Sequence, residues 1–302
     1  MTVQLNSALR APAVRTALSR RVRALAGSPL VWLCGPAVLF LLLFFVWPLT
    51  RVVGLSFQDE NTGALTLDNY ANLGADSFYG KVALTTLGVA VAVTVLCLVL
   101  GYPAAYYLVR TRSRYRHVLF IAMIAPLLVS VVVRTIGWLM LLGDRGPVAW
   151  LLSTLPGSGT PGQLLFNRVA VVVGMTHVLV PFMILAIAGT LAGVDRRLEE
   201  AAAVLGASPA RTFIHVTWPL SIPGAISGCV LVFSLTVGAY LTPMFMGGGK
   251  IQVVAIAIFD ETLVLLDWPQ SAALSVGLLS VVLLLLGMSL LAIRRFLPKG
   301  GA

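Results

Sequence analysis

The sequence contains few charged residues. Only 11% of its 302 residues are Asp, Glu, Lys or Arg, whereas 59% are hydrophobic. A soluble globular chain carries roughly a quarter charged residues, because its surface faces water. This deficit excludes an ordinary soluble domain and predicts a chain that is embedded in lipid.

Residues and motifs that usually carry catalysis or bind metals are also scarce. The three cysteines, Cys34, Cys97 and Cys229, lie in apolar runs at spacings that fit no metal site. Neither an H-E-x-x-H nor a G-x-S-x-G motif occurs. The stretch "MFMGGGKI" is not a phosphate-binding loop, because that loop needs Gly at Met244 and Ser or Thr at Ile251. We therefore expect a chain that is not an enzyme and binds no cofactor or metal.

Long apolar runs, in contrast, are abundant. A helix needs about 20 apolar residues to cross the hydrocarbon core of a bilayer. The first run is too long for the apolar region of a secretory signal, and five more follow it. The predicted spans cover residues 30–50, 83–109, 118–142, 169–192, 222–246 and 271–293. We predict an all-α polytopic membrane protein with six transmembrane helices, comprising a basic tail (1–29), a transmembrane domain (30–295) and a short tail (296–302).

Positive charge is concentrated on one side of these spans. Of the 21 Lys and Arg residues, fifteen lie in the N-terminal tail, in the connections 110–117 and 193–221, and at the C-terminal end. Five lie in the opposite loops, and Arg134 lies inside the third span. Because Lys and Arg accumulate in cytoplasmic loops, we predict that both termini and the loop 193–221 are cytoplasmic.

The loop 193–221 is polar and carries several helix signals. Asp195 is placed to cap a first helix, and Gly206 is placed to end it in a left-handed conformation. Ser208, followed by a proline, is a second helix start. Two short helices joined at Gly206 are therefore predicted to protrude from the membrane.

The residue composition of this loop suggests contact with a partner. Prolines at 219 and 223 are expected to break the second helix before the fifth span. In the first helix, small alanines leave a low ridge and two glutamates supply charge. The alternative is an amphipathic hairpin lying on lipid, although an anionic leaflet favours Lys and Arg over a Glu pair. The candidate contact residues are Glu199, Glu200, Ala201, Ala202, Gly206 and Pro219.

The same loop resembles the cytoplasmic signature of binding-protein-dependent ABC importer permeases, E-A-A-x-x-x-G-x9-I-x-L-P. The matching residues are Glu200, Ala201, Ala202, Gly206 and Pro219, with Val216 and Trp218 in place of Ile and Leu. Other stretches, including "LTLDNYANL", "LGYPAAYYLVR", "VRTIGWLMLLGDRG" and "DWPQSAALS", resemble the first permease component of the spermidine/putrescine branch.

This resemblance implies the type I importer permease fold in a bacterial inner membrane. It also implies a second permease subunit, a pair of cytoplasmic ATPase subunits, a periplasmic solute-binding protein and a polyamine-like cargo. The helix around Glu200 would then be a coupling helix in an ATPase groove. It would transmit closure of the ATPases to the spans as a rigid-body movement.

Polar residues inside the third and fourth spans are candidates for a translocation path. Arg134 and His177 lie at the same distance from the outer ends of their spans, so we expect them at a similar depth. Both could face a cavity in the outer half of the membrane. The alternative for Arg134 is a side chain that reaches the outer interface, with Trp138 stacked one turn away.

The fifth span adds Ser234, Thr236 and Tyr240 to the candidate path. Hydroxyl groups in membrane helices often bond back to their own backbone, and this remains the alternative for Ser234 and Thr236.

The span residues leave the identity of the cargo open. The spans contain an Arg and no Asp or Glu, and Ala239 stands where several polyamine-type permeases carry an acid. A non-polyamine solute, which could be amino-acid-like, opine-like or anionic, is the alternative within the same class. An ion-coupled secondary transporter is the alternative from another class, and the absence of an intramembrane carboxylate argues against it.

Overall fold

The computed structural model describes residues 29–60, 62–111, 113–154 and 163–296. These residues are almost entirely helical. The helices are α1 (Pro29–Leu41), α2 (Trp47–Leu55), α3 (Asp68–Ala75), α4 (Ser77–Arg110), α5 (Tyr115–Leu128), α6 (Val131–Leu142), α7 (Pro147–Thr154), α8 (Arg168–Ala192), α9 (Arg196–Val204), α10 (Pro209–Thr212), α11 (Trp218–Val237), α12 (Leu241–Gly247), α13 (Val254–Asp260) and α14 (Trp268–Phe296). π-Helical segments over Leu42–Val46, Phe213–Thr217 and Glu261–Leu265 follow α1, α10 and α13.

Five helices in the described part of the chain are long and apolar enough to cross a membrane. They are Cys34–Leu55, Ser77–Arg110, Arg168–Ala192, Pro209–Val237 and Trp268–Ile293. They correspond to the first, second, fourth, fifth and sixth predicted spans, and the bent pair α5–α6 supplies the sixth crossing if it is counted as one span. The predicted all-α, six-span architecture is confirmed. The predicted tails lie almost wholly outside the described residues.

The described residues up to Leu55 belong to one unit of the chain, and those from Ser56 belong to a second. The helix of the first unit passes through a π-helical turn immediately before Trp47 and Pro48, and the backbone N–H of Trp47 bonds to the carbonyl of Leu42. Proline has no N–H and its ring clashes with the carbonyl four residues earlier. The wider turn carries the helix past this proline without a break.

The core of the second unit lies where α4, α8 and α11 pack together. Val93 on α4, Ile187 on α8 and Val232 on α11 are completely buried. The helices approach closely because Gly228 on α11 has no side chain. A Cβ atom there would lie 2.6 Å from the sulfur of Met183, which is too close for two non-bonded atoms.

The third predicted span, 118–142, is not one straight helix, and that expectation is wrong. The chain breaks after Leu128, and the two helical segments on either side of the break meet at 103°. Val129 and Ser130 have extended backbone angles, so the carbonyl of Pro126 loses its usual partner, the N–H of Ser130. The guanidinium of Arg134 donates to that carbonyl instead.

The fifth predicted span also differs from expectation. Instead of being broken by its prolines, the helix runs continuously from Pro209 to Val237. The π-helical segment again precedes a Trp-Pro pair, with the N–H of Trp218 bonded to the carbonyl of Phe213. The span then ends at Val237, whereas 222–246 was expected. After Gly238, the separate helix α12 begins at Leu241.

Short helices occupy the three long connections on the side opposite the loop 193–221. The loop 51–82 contains α3, the loop 143–168 contains α7 and the loop 247–270 contains α13. Residues 155–162 of the second loop lie outside the described residues.

Candidate functional site

The loop between the fourth and fifth spans is built from local signals that the sequence predicted correctly. The Asp195 carboxylate accepts a hydrogen bond from the N–H of Arg197 at 2.9 Å and caps α9. Gly206 has a φ angle of 83°, which is the left-handed conformation predicted for it. Ser208 caps α10 by accepting from the N–H of Arg211. The predicted caps and the glycine turn are confirmed.

The end of α9 exposes an apolar surface. Val204 and Leu205 are 86% and 87% exposed, and they lie next to the exposed Gly206. A side chain added at Gly206 would meet no neighbouring atom within 4 Å. Earlier in the helix, Glu200 and Ala201 are exposed, whereas Ala202 is half-buried. No described residue covers the two large apolar side chains of this surface.

Glu199, one residue before Glu200, has quite different surroundings. Its Oε1 atom lies 2.9 Å from an Nη atom of Arg110, at the end of α4. The Nε atom of Arg110 donates to the same oxygen at 3.1 Å, and the hydroxyl of Thr217 donates to it at 2.8 Å. The sequence grouped Glu199 with the exposed contact residues, but the structure turns it inward. Sequence spacing gave no sign of this, because Arg110 is 89 positions away.

Pro219 lies in the first turn of α11, beside an aromatic cluster. The rings of Tyr102 and Phe213 meet edge to face at 5.6 Å, and Trp218 lies 5.0 Å from Tyr102. The hydroxyl of Tyr102 is also 2.6 Å from that of Ser221. Pro219 itself is exposed. Its place in the fold is therefore at the junction between the loop 193–221 and the fifth span.

Two of the five candidate path residues line one cavity. A cavity of about 580 Å³ lies between α6, α8 and the end of α11, and both Arg134 and Tyr240 border it. Its remaining lining is mainly apolar and includes Phe182, with no carboxylate among the lining residues. The ring of Tyr240 stacks on Phe259 with 4.7 Å between centroids. The structure therefore brings together an arginine and aromatic faces, but no acid.

The other three candidates do not line this cavity. Thr236 is buried, and its hydroxyl donates to the carbonyl of Val232 in its own helix. His177 accepts a hydrogen bond at 3.3 Å from the indole N–H of Trp138. Trp138 therefore pairs with His177, although the sequence suggested a stack on Arg134. Ser234 is half-buried in the last turns of α11.

A buried carboxylate that was not predicted lies in the connection between the fifth and sixth spans. Glu261 is 6% exposed and accepts a 2.6 Å hydrogen bond from the hydroxyl of Tyr79 on α4. No sequence pattern signals this pair, because its members are 182 positions apart. No group of three or more potential metal ligands occurs among the described residues.

Comparison with known proteins agrees with this architecture. Residues 97–295 match the family described as the binding-protein-dependent transport system inner membrane component. The spermidine/putrescine transport system permease protein PotB of Escherichia coli (strain K12) is 34% identical over 252 residues, which cover 82% of this chain and 91% of PotB. The molybdenum transport system permease protein ModB of Azotobacter vinelandii is 33% identical over 214 residues, which cover 70% of this chain and 92% of ModB.

A solved structure shares the fold. It is the crystal structure of a bacterial alginate ABC transporter in complex with an alginate pentasaccharide-bound periplasmic protein. One of its chains superposes with a TM-score of 0.74 at 17% identity, covering 90% of this chain and 96% of that chain. Together with the family match over more than half of the sequence, these findings show what the chain is. It belongs to the binding-protein-dependent transport system inner membrane components, and is the membrane-spanning permease subunit of an ABC importer whose ATPase is a separate subunit.

Proposed function

We propose that the loop 193–221 is the surface through which this permease receives the movement of its ATPase subunits. The carrying observation is the exposure of Val204 and Leu205 beside the left-handed Gly206, at the end of an otherwise polar helix. Large apolar side chains left in water at the tip of a loop are typical of a surface that a partner covers. Glu200 and Ala201 extend this docking surface, Ala202 supports it, and Pro219 marks where the loop joins the fifth span.

The docking proposal includes an orientation. We propose that the loop and both termini face the cytoplasm, because Lys and Arg are concentrated on this side of the spans. The complete importer would combine this chain with a second permease subunit, two ATPase subunits and a periplasmic solute-binding protein. The family description and the alginate transporter bound to its periplasmic protein support this composition.

We propose a polyamine as the cargo class. The supporting observation is the 34% identity to spermidine/putrescine permeases over most of both chains. The path would pass the cavity bordered by Arg134 and Tyr240. The aromatic rings of Tyr240 and Phe182 in its lining are groups over which an ammonium ion binds favourably. A wider path that includes His177, Ser234 and Thr236 remains a prediction.

Docking is tested by placing a charge on the exposed surface. In the assembled transporter in lipid nanodiscs, we expect Leu205→Glu to weaken binding of the ATPase subunit at least tenfold, equivalent to about 1.4 kcal/mol. Leu65→Glu is the matched control, because Leu65 is equally exposed at 84% but lies in an outer loop. Equal binding by the two variants would remove the docking proposal.

The cargo is tested separately by uptake into cells that express the complete transporter. We expect ATP-dependent accumulation of radiolabelled spermidine or putrescine, with competition by unlabelled polyamine and none by molybdate. Accumulation driven by an ion gradient after ATP depletion would contradict the ATP-driven class. Accumulation of molybdate or an amino acid in place of polyamine would contradict the cargo.

A further inference from the structure

The beginning of α9 is fastened to two transmembrane helices. The Glu199 carboxylate accepts hydrogen bonds from Arg110 at the end of α4 and from Thr217 at the start of the fifth span. Both partners reach the same oxygen, Oε1. One carboxylate therefore joins three segments that are distant in the sequence.

Arg110 strengthens this junction through its other atoms. Its two terminal nitrogens lie 3.3 and 3.4 Å from the carbonyl of Val194, just before α9. In return, the guanidinium of Arg196 donates to the carbonyl of Arg110 at 2.9 Å. The planar guanidinium presents several donors in a fixed arrangement, which a lysine does not reproduce. The first turn of α9 is thus held by both the side chain and the backbone of Arg110.

The junction is largely shielded from water. The side chains of Arg110 and Glu199 are 11% and 15% exposed, and Thr217 is 1% exposed. An ion pair in such a place is screened far less than a surface pair, and the loss of one partner leaves the other charge without compensation. The far end of the same helix, at Val204 and Leu205, has no such ties among the described residues.

We infer that Glu199 is a positioning residue that joins the docking helix to the spans rather than contacting the ATPase. Together with Arg110 and Thr217 it forms a clamp, so that a displacement of α9 carries the ends of α4 and α11 with it. Glu200 does not share this role, because the next residue on a helix points about 100° away. The inference rests on the proposed docking of α9, and it assigns two adjacent glutamates to different faces of the helix.

The test measures how firmly α9 is held to α4. Spin labels at Arg197 on α9 and Tyr107 on α4, both exposed, would report their separation in the full transporter in nanodiscs. The native cysteines are replaced by alanine for this purpose, and the labelled protein is checked by size-exclusion chromatography. With the clamp intact, we expect one narrow distance distribution that is the same without nucleotide and with a non-hydrolysable ATP analogue.

The Glu199→Gln variant should no longer give a single narrow distribution of the distance between the two labels, whereas the Glu200→Gln variant should still give one. Arg110→Met should broaden the distribution at least as much as Glu199→Gln, because it also removes the bonds to the carbonyl of Val194, and the effects should be less than additive in the double variant, because both changes remove the Arg110–Glu199 pair. Arg110→Lys keeps the charge and should give an intermediate width. If the distribution of Glu199→Gln stays as narrow as that of the unsubstituted transporter, the clamp is refuted.

Binding of the ATPase subunit provides the second measurement. Glu200→Gln should weaken this binding. An equal or greater loss of binding with Glu199→Gln would place Glu199 on the docking surface and overturn the inference.

Failure of the clamp and failure of docking give different results. If docking is wrong, the Leu205→Glu variant binds the ATPase subunit normally. The distance between α9 and α4 is a separate measurement, and it still tests the clamp. If only the clamp is wrong, Leu205→Glu weakens binding and the distance stays fixed in Glu199→Gln.

Discussion

The loop that joins the fourth and fifth spans and the cavity beside Arg134 satisfy their polar groups in different ways. Where the loop meets the spans, Glu199 bonds to Arg110 on α4, and Tyr102 on α4 bonds to Ser221 on α11. At the cavity, Arg134 bonds to the backbone carbonyl of Pro126 in the same bent span, and Thr236, next to the lining residue Leu235, bonds to the carbonyl of Val232 in its own helix. Bonds between spans tie them into one body, whereas bonds within one span leave its neighbours free to move.

This difference fits the work of an importer. The proposed docking loop has to transmit movement without slack, so bonds between it and the spans are useful there. The walls of the proposed path have to separate and close, so a polar bond between them has to break in each cycle. The bond from Trp138 on α6 to His177 on α8 is of this kind.

The largest effect is expected when the turn at Gly206, between α9 and α10, is disrupted. Gly206 has a positive φ angle, and a β-branched side chain there costs on the order of 1–2 kcal/mol. We expect Gly206→Val to reduce ATP-driven uptake at least tenfold while ATP hydrolysis and membrane insertion continue, because α9 and α10 meet at the wrong angle.

The matched control for this turn is Gly206→Asn. Asparagine tolerates the left-handed conformation, and no atom lies near enough to clash with its side chain. Uptake by this variant should stay close to that of the unsubstituted transporter. Normal coupled uptake by Gly206→Val would show that the angle between the two helices does not matter.

A smaller effect is expected at the bend of the third span. Arg134→Leu removes the donor that satisfies the carbonyl of Pro126, and a hydrogen bond from a charged group contributes about 1.5–3 kcal/mol. We expect uptake to fall severalfold with unchanged binding of the ATPase subunit, because the bend loosens far from the docking surface. The control is Arg168→Leu, since Arg168 makes only an exposed contact with Thr85 at 3.4 Å. Full uptake by Arg134→Leu would remove both the bend-stabilising role and the path role of this residue.

The residues that sequence analysis placed correctly are those whose partners are close along the chain. Asp195, Gly206 and Ser208 were identified from the capping rules, because a cap bonds to residues two or three positions away. The apolar runs similarly identified the spans, since a bilayer selects for length and composition. Local sequence patterns therefore predict most of the fold of the permease.

Features set by distant partners were not predictable in this way. The inward orientation of Glu199 depends on Arg110, and no residue near Glu199 in the sequence predicts this orientation. The break after Leu128 was also not predicted, although Arg134, which donates to the carbonyl of Pro126 across it, is only 8 positions away. The prolines predicted a break that is absent, because a π-helical turn before Trp218 lets the helix continue past Pro219. Trp47 and Pro48 follow the same kind of turn, but the third Trp-Pro pair, Trp268 and Pro269, begins a new helix after the left-handed Leu266, so the pair alone does not predict a continuous helix.

The smallest expected effect tests the contrast between the two regions most directly. The Tyr102 and Ser221 side chains are both buried and share a bond between helices, so Tyr102→Phe should lower the free energy of unfolding by about 0.5–1.5 kcal/mol. Thr236→Val removes a hydroxyl that bonds only to its own helix, and the change should stay within about 0.5 kcal/mol. Thermal unfolding of the purified variants in detergent measures both. A loss in Thr236→Val as large as that in Tyr102→Phe would mean that a bond within one span stabilises the fold as much as a bond between spans, and the contrast would fail.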